Sequence, residues 1–228
     1  MQTLRVVAVL CLLLHSRSLS ADVIALNFVD SGWTRVNGLH QQNNDNYFLG
    51  SDGSQETRNW FLFDLSSVTG NIVSAELRLS LPSYTSDDPS EDVGLFDVLT
   101  PPEILTAGTP SGSAQGMAVF DDLGTGVQYG LRTVTPDDAG SVLSFTLNAN
   151  GVASLNAASS LWAVGGRMLT WDPDVDVEAI FGGTGSIPGS IRQLVLNTEA
   201  IPEPSSLVFA AVSGLVLTGR TLQRRRKP

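Results

Sequence analysis

Apolar and polar residues alternate through the middle of this chain. Ala75, Leu77, Leu79 and Leu81 are interleaved with Glu76, Arg78 and Ser80, and Leu143, Phe145 and Leu147 with Ser144 and Thr146. Period two puts successive side chains on opposite faces of a strand. Further strands are predicted over Val23 to Val29, Asn59 to Asp64, Val93 to Leu99, Val127 to Val134, Leu161 to Met168 and Arg192 to Asn197. Turn formers separate them: Ser51-Asp52-Gly53, Thr69-Gly70-Asn71, Asp87-Asp88-Pro89, Pro101-Pro102, Pro136-Asp137-Asp138 and Gly182-Gly183. Many short strands with turn chemistry between them predict an all-β domain, a β-sandwich or jelly roll. One short helix is expected over Asn148 to Ser159, where Val152, Leu155 and Ala158 have helical spacing and Asn148 can cap the first turn. No fixed-period repeat occurs, and 22 glycines with 11 prolines in 228 residues are too few for a low-complexity chain.

The two ends depart from this pattern. Residues 1–21 contain Arg5, the apolar run Val6 to Leu14 and a polar stretch closing on Ser18-Leu19-Ser20-Ala21, the three parts of a secretory signal peptide. The apolar run is short for a ~30 Å hydrocarbon core, so cleavage after Ser20 or Ala21 is expected. The alternatives are an anchor helix that stays and a lipid-modified Cys11, although Leu10 is bulky where such processing wants a small residue. Cys11 is the one cysteine, so the mature protein is expected to have no disulfide despite export.

At the other end, Pro202, Glu203 and Pro204 precede Ser205-Ser206, the apolar Leu207 to Leu217, and a basic end of Arg224, Arg225, Arg226 and Lys227. The uncharged stretch spans the hydrocarbon core if Arg220 snorkels, and the terminal cations then stay cytoplasmic. A single transmembrane helix is therefore expected within 201–228, with the β domain over 22–200. This tail resembles the PEP-CTERM sorting signal of Gram-negative bacteria, which combines a Pro-Glu-Pro motif, a short transmembrane segment and an arginine-rich end. The resemblance implies recognition by the membrane enzyme exosortase: an inner-membrane-anchored precursor, cleavage near Pro202-Glu203-Pro204, and delivery to the cell surface or the extracellular matrix. An ordinary tail anchor that persists is the other reading. The segments Asp45 to Gly50, Arg58 to Val68 and Ser74 to Leu79 are similar to exported β-sandwich domains of planctomycete and cyanobacterial PEP-CTERM proteins, mostly uncharacterised, which implies fold and destination and no activity.

Charge narrows the partners. The whole chain has a formal net charge of -10, but between Asp22 and Ala200 there are 22 acidic residues, six arginines and no lysine, about -16 for the body. Nucleic acid is excluded as a partner, because phosphate binding needs clustered Lys and Arg.

Candidate chemistry is sparse. The mature chain has one histidine, His40, in the polar stretch Gly38 to Asn46, where a solvated loop residue is expected; a His-based triad or zinc site lacks its other members. The sharpest cluster is Asp172, Asp174, Asp176 and Glu178, whose carboxylates at every second position can converge on calcium if the backbone turns, or line one sheet face and solvate it if extended. The acidic run Asp87 to Asp92 is read as a surface turn. Trp60 and Trp162 lie in apolar strands and are expected in the core, which leaves Trp33 and Trp171 as the candidate sugar-binding aromatics. Together these features predict a non-catalytic surface or matrix protein lodged among extracellular polysaccharide, with two alternatives. One is a carbohydrate-binding module with a defined glycan; the other is a glycoside hydrolase working through two carboxylates.

Overall fold

The computed structural model of the protein describes residues 22–199 other than 52, 54, 175, 176 and 182–189. The expected signal peptide over 1–21, the sorting motif Pro202, Glu203, Pro204, the basic end Arg224, Arg225, Arg226, Lys227 and the candidate ligand Asp176 lie outside the described residues. No helix among the described residues is long and apolar enough to cross a membrane. The chain divides into two units, Val23–Thr198 and a second made of Met1–Asp22 with Glu199–Pro228. Of the second only Asp22 and Glu199 are described, and both are exposed.

Along the first unit the elements are β1 (Val23–Asn27), β2 (Asp30–Arg35), β3 (Leu49–Ser51), β4 (Glu56–Asp64), β5 (Ile72–Ser80), β6 (Tyr84–Thr85), β7 (Glu91–Asp97), α1 (Pro102–Leu105), α2 (Ala114–Asp122), β8 (Gln128–Val134), β9 (Val142–Thr146), α3 (Ala149–Ala157), β10 (Leu161–Met168), β11 (Glu178–Ile180) and β12 (Arg192–Thr198). A 3-10 turn, Pro136–Asp138, precedes β9. The all-β expectation is met. Two antiparallel sheets form, one in the order β1-β12-β5-β9 and one in the order β6-β11-β3-β4-β10-β7-β8, with β2 on the far edge of β4. The alternation read from the sequence is what joins them. Leu77, Leu79, Phe145, Leu194 and Leu196 of the smaller sheet share one core with Phe61, Phe63, Leu95 and Val164 of the larger, in a sandwich-like arrangement. Trp162 belongs to it as expected.

β4 is buried on both faces, and this is why Trp60 to Phe63 reads as a continuous apolar run rather than an alternation, while Glu56 to Asn59 are buried polar residues. Phe61 and Phe63 point into the main core, whereas Trp60 and Leu62 point outward into a second one with Leu105 of α1 and Val119 and Leu123 at α2. Burying each such side chain contributes about 1.5–3 kcal/mol. The expectation of a single helix is corrected here: α1 and α2 are needed to cover that outer face. Pro101-Pro102 reads as a breaker, yet Pro102 sits in the first turn of α1, where a missing N–H costs nothing. Ser113 caps α2 by accepting from the Gly116 N–H at 3.2 Å, and Gly116, Val119 and Phe120 form its buried stripe. Glycine at 116 is required by space, since any Cβ would collide with the Gly38 carbonyl. α3 stands where it was expected, with Asn148 Oδ1 accepting from the N–H groups of Asn150 and Gly151.

A buried ion network pins α2 to the larger sheet. Arg58 donates from Nε to Glu56 Oε1 at 2.9 Å and from Nη1 to the Phe120 carbonyl at 3.0 Å, and its guanidinium lies 4.0 Å from the centre of the Phe120 ring. Arg167 joins the same Glu56 oxygen at 3.2 Å.

The register fixes which residues share an end of the domain. Val23 pairs with Asn197, and Ile72 at the start of β5 pairs with Thr198, so the first and last strands begin and end side by side. β1 then runs away from that end, crosses to the larger sheet where the Val29 N–H donates to the Leu62 carbonyl, and continues as β2 to Arg35, which pairs with Thr57 at the start of β4. Arg35 therefore lies at the opposite end from Val23 and Asn197.

Candidate functional site

The end of the domain marked by Arg35 holds a small cavity built from two alternating rows. Trp33 and Arg35 stand on one face of β2, and their register partners Asn59 and Thr57 show that this face is the one turned toward the smaller sheet. After β2 the chain reverses at Gln41 to Asn44, where the Asn44 N–H donates to the Gln41 carbonyl at 3.2 Å and Asn43 takes φ 65, a left-handed conformation that Asn tolerates. The chain then returns as an extended segment whose residues alternate. Asn44, Asn46 and Phe48 line the cavity together with Trp33 and Arg35, while Asp45, Tyr47 and Leu49 anchor the segment. The cavity measures about 130 Å³.

The anchors come from both sheets. Arg192, at the start of β12, donates to the Asp45 carbonyl at 2.6 Å and to its carboxylate at 3.1 Å, and to Ser31 Oγ at 2.8 Å. Its guanidinium lies 3.8 Å from the centre of the Phe28 ring. Asn59 Nδ2 donates to the Tyr47 carbonyl at 2.9 Å, and the Tyr47 hydroxyl donates to the Ser80 carbonyl at 2.8 Å. Tyr47 is wholly buried against Phe61 and Phe181, and that desolvation pushes its hydroxyl pKa up to about 12, against a smaller opposing pull from Arg192. An irregular segment is thus held as firmly as a strand.

The two candidate tryptophans part company. Trp33 lines the cavity but is only 8% exposed, with the Arg35 guanidinium 5.4 Å from its ring centre, so it offers an edge and not a flat platform. Trp171 is half-buried, packs against the main core, and is not among the cavity's lining residues.

The acidic clusters also sort differently from their spacing. Asp172 and Asp174 are exposed, the Asp174 N–H donating to Asp172 Oδ1 at 2.8 Å and the Asp172 N–H to Glu178 Oε2 at 2.7 Å. Glu178, 1% exposed, is brought instead to Asp88 and Glu91, one carboxylate oxygen of each lying within 4.8 Å of the others. Glu91 is fully buried, accepting from the hydroxyls of Ser86 and Thr170, so the surface-turn reading of Asp87 to Asp92 holds for Asp87 and Asp88 and is corrected for Glu91. Burial, chiefly, and the neighbouring carboxylates push the Glu178 carboxyl pKa upward, against the Asp172 N–H.

His40 is corrected from solvated to buried. Its ring packs edge-on against Trp60 at 5.7 Å and its Nδ1 lies 2.8 Å from the Trp33 carbonyl oxygen. Burial holds its pKa below the usual 6.5, outweighing the Trp33 carbonyl and Asp30.

In sequence comparison the chain matches no protein-family model and no curated protein.

Proposed function

We propose that this is an exported, non-catalytic surface protein, released by exosortase from an inner-membrane precursor and retained among extracellular polysaccharide. The observation that carries this reading is the pairing of Val23 with Asn197. A domain whose last strand ends beside its first can be cut free of a tail at that end without touching the opposite end, where the cavity of Trp33, Arg35, Asn44, Asn46 and Phe48 lies. Among the described residues that line this cavity there is no carboxylate, and glycoside hydrolysis uses a pair. The sequence supplies the rest of the reading: a secretory signal before the domain and Pro202-Glu203-Pro204 with an apolar segment and basic end after it.

Mass spectrometry of protein recovered outside the cell tests it. A C-terminus near Pro202, and accumulation of full-length protein in the inner membrane after Glu203→Ala, are expected; an intact tail through Pro228 in the extracellular fraction would sink the sorting claim. Calcium goes with the same reading as a stabilising cation for the oxygen ligands of Asp88, Glu91 and Glu178. An identical melting temperature in millimolar calcium and in chelator, at matched ionic strength, would remove it.

A further inference from the structure

We infer that the cavity at the Arg35 end takes a single terminal sugar unit of a glycan, gripped end-on, and not a stretch along a polysaccharide chain; this rests on the polysaccharide reading above. Three observations carry it. The first is size. The cavity of about 130 Å³ is less than half of the ~300 Å³ at which pockets for drug-sized ligands begin, and is about four times the ~30 Å³ share of one water. One pyranose ring fills that volume, and because the cavity opens to solvent the rest of a glycan would lie outside it.

The second is the form of the aromatic groups. Recognition along a chain uses exposed ring faces, one for each sugar or two. Here Trp33 is almost wholly buried, Phe48 is half-buried, and Trp171, the other aromatic that could extend a platform, does not line the cavity. What remains is an apolar wall against which one sugar's C–H groups can lie, with the carboxamides of Asn44 and Asn46 and the guanidinium of Arg35 at its rim for hydroxyls.

The third is preorganisation. The three lining residues of the returning segment alternate with anchors held by Arg192, Asn59 and Ser80, so the wall does not have to be ordered when the ligand arrives. That lowers the cost of binding and suits a ligand with few contacts to offer.

The test is ligand-observed NMR on the full chain in detergent, with methyl glucoside, methyl galactoside and methyl glucuronide, each beside a tetrasaccharide ending in the same sugar. At least one pair is expected to show saturation transfer confined to the terminal ring, with the two affinities within about twofold. Asn44→Ala, on the rim, and Trp33→Phe, in the wall, are each expected to weaken binding at least tenfold while circular dichroism shows both folded; Asn44→Ala also removes the bonds to Gln41 Oε1 and from the Asn46 N–H, so Asn44→Asp, which keeps the acceptor for that N–H, is expected to weaken binding as well. Affinity that climbs tenfold or more from monosaccharide to tetrasaccharide, or transfer spread over internal rings, overturns end-on capture while leaving polysaccharide retention standing. Binding untouched by Asn44→Ala overturns the assignment to this cavity. No saturation transfer from any of the six sugars overturns the inference; if the protein is then still retained on the producing cell's polysaccharide the broader reading survives, and if it is not, both fail.

Discussion

Arg192, at the start of β12, and Asp45, in the irregular segment before β3, stand 147 positions apart and are joined twice, once through the Asp45 carboxylate and once through its main-chain carbonyl. The second bond matters more for the cavity, because it fixes backbone and not a half-exposed side chain. Removing the guanidinium takes the charged donor from Ser31 Oγ and from the Asp45 carbonyl, leaves that carbonyl the Ser31 hydroxyl at 2.9 Å, and strips the stack on Phe28. Arg192→Leu should cost about 2 kcal/mol, in the range for hydrogen bonds to a charged group, and lower the melting temperature by roughly 5 °C for a domain of this size. Hydrogen exchange should show the loss concentrated in residues 44–48; uniform loss across both sheets would mean that Arg192 acts on the fold as a whole.

Among the described residues Glu56 is the acid that pairs with both Arg58 and Arg167; Glu56 and Arg58 are buried and Arg167 is partly exposed. Glu56→Ala leaves two guanidinium groups facing each other without their anion. A loss of about 3–5 kcal/mol is expected, against less than ~1 kcal/mol for Glu76→Ala, whose partner Arg78 is exposed. Urea denaturation of both variants makes the comparison.

The buried imidazole of His40 makes stability depend on pH in a definite direction. Its folded pKa is depressed below 6.5, so between the two values the unfolded chain binds more protons than the folded one. The contribution is complete above pH 6.5 and is lost as pH falls through the folded value. His40→Phe should be less stable at pH 8 but flatter between pH 7 and 5, and parallel melting curves for the two proteins across that range would exclude His40 as the source.

Glu178 behaves with the opposite sign. Its folded pKa is raised above 4.5, so what it contributes is present below that pH and lost as pH rises through the folded value. Glu178→Gln keeps an acceptor for the Asp172 N–H and removes the charge. In chelator, with no calcium to hold the carboxylate, the variant should melt higher than the parent at pH 7, with the gap closing below pH 4.5. A variant less stable at pH 7 would show that the ionised carboxylate is held by something stronger than that one N–H.

Much of the fold was legible where a strand has one wet face. β9, Val142–Thr146, alternates exposed and buried positions as read from the sequence, and the Asn148 cap of α3 was visible because one side chain does it locally. β2 was not, since Asp-Ser-Gly-Trp-Thr-Arg is buried at its four central positions and has no apolar alternation to show. α2 hid behind the Pro, Ser and Gly that precede it. The candidate site was half legible. Trp33 was singled out, but its partners were not, although Asn44, Asn46 and Phe48 against Asp45, Tyr47 and Leu49 is a period-two pattern that could have been seen. Glu91 and Glu178 meet only because β6 and β11 pair, as Thr85 does with Ala179, and no local spacing announces that.

The side-by-side placement of Val23 and Asn197 also decides how the domain would bear tension. A pull between Thr198 and the cavity end acts lengthwise along β12 and along the β1–β2 run, so the cross-strand bonds, which lie perpendicular to the strands, are sheared together. A pull between Val23 and Thr198 would instead peel β1 from β12 one bond at a time. Load applied between Thr198 and the cavity end therefore meets the domain along its strong axis, and load applied between its two chain ends meets it along its weak one.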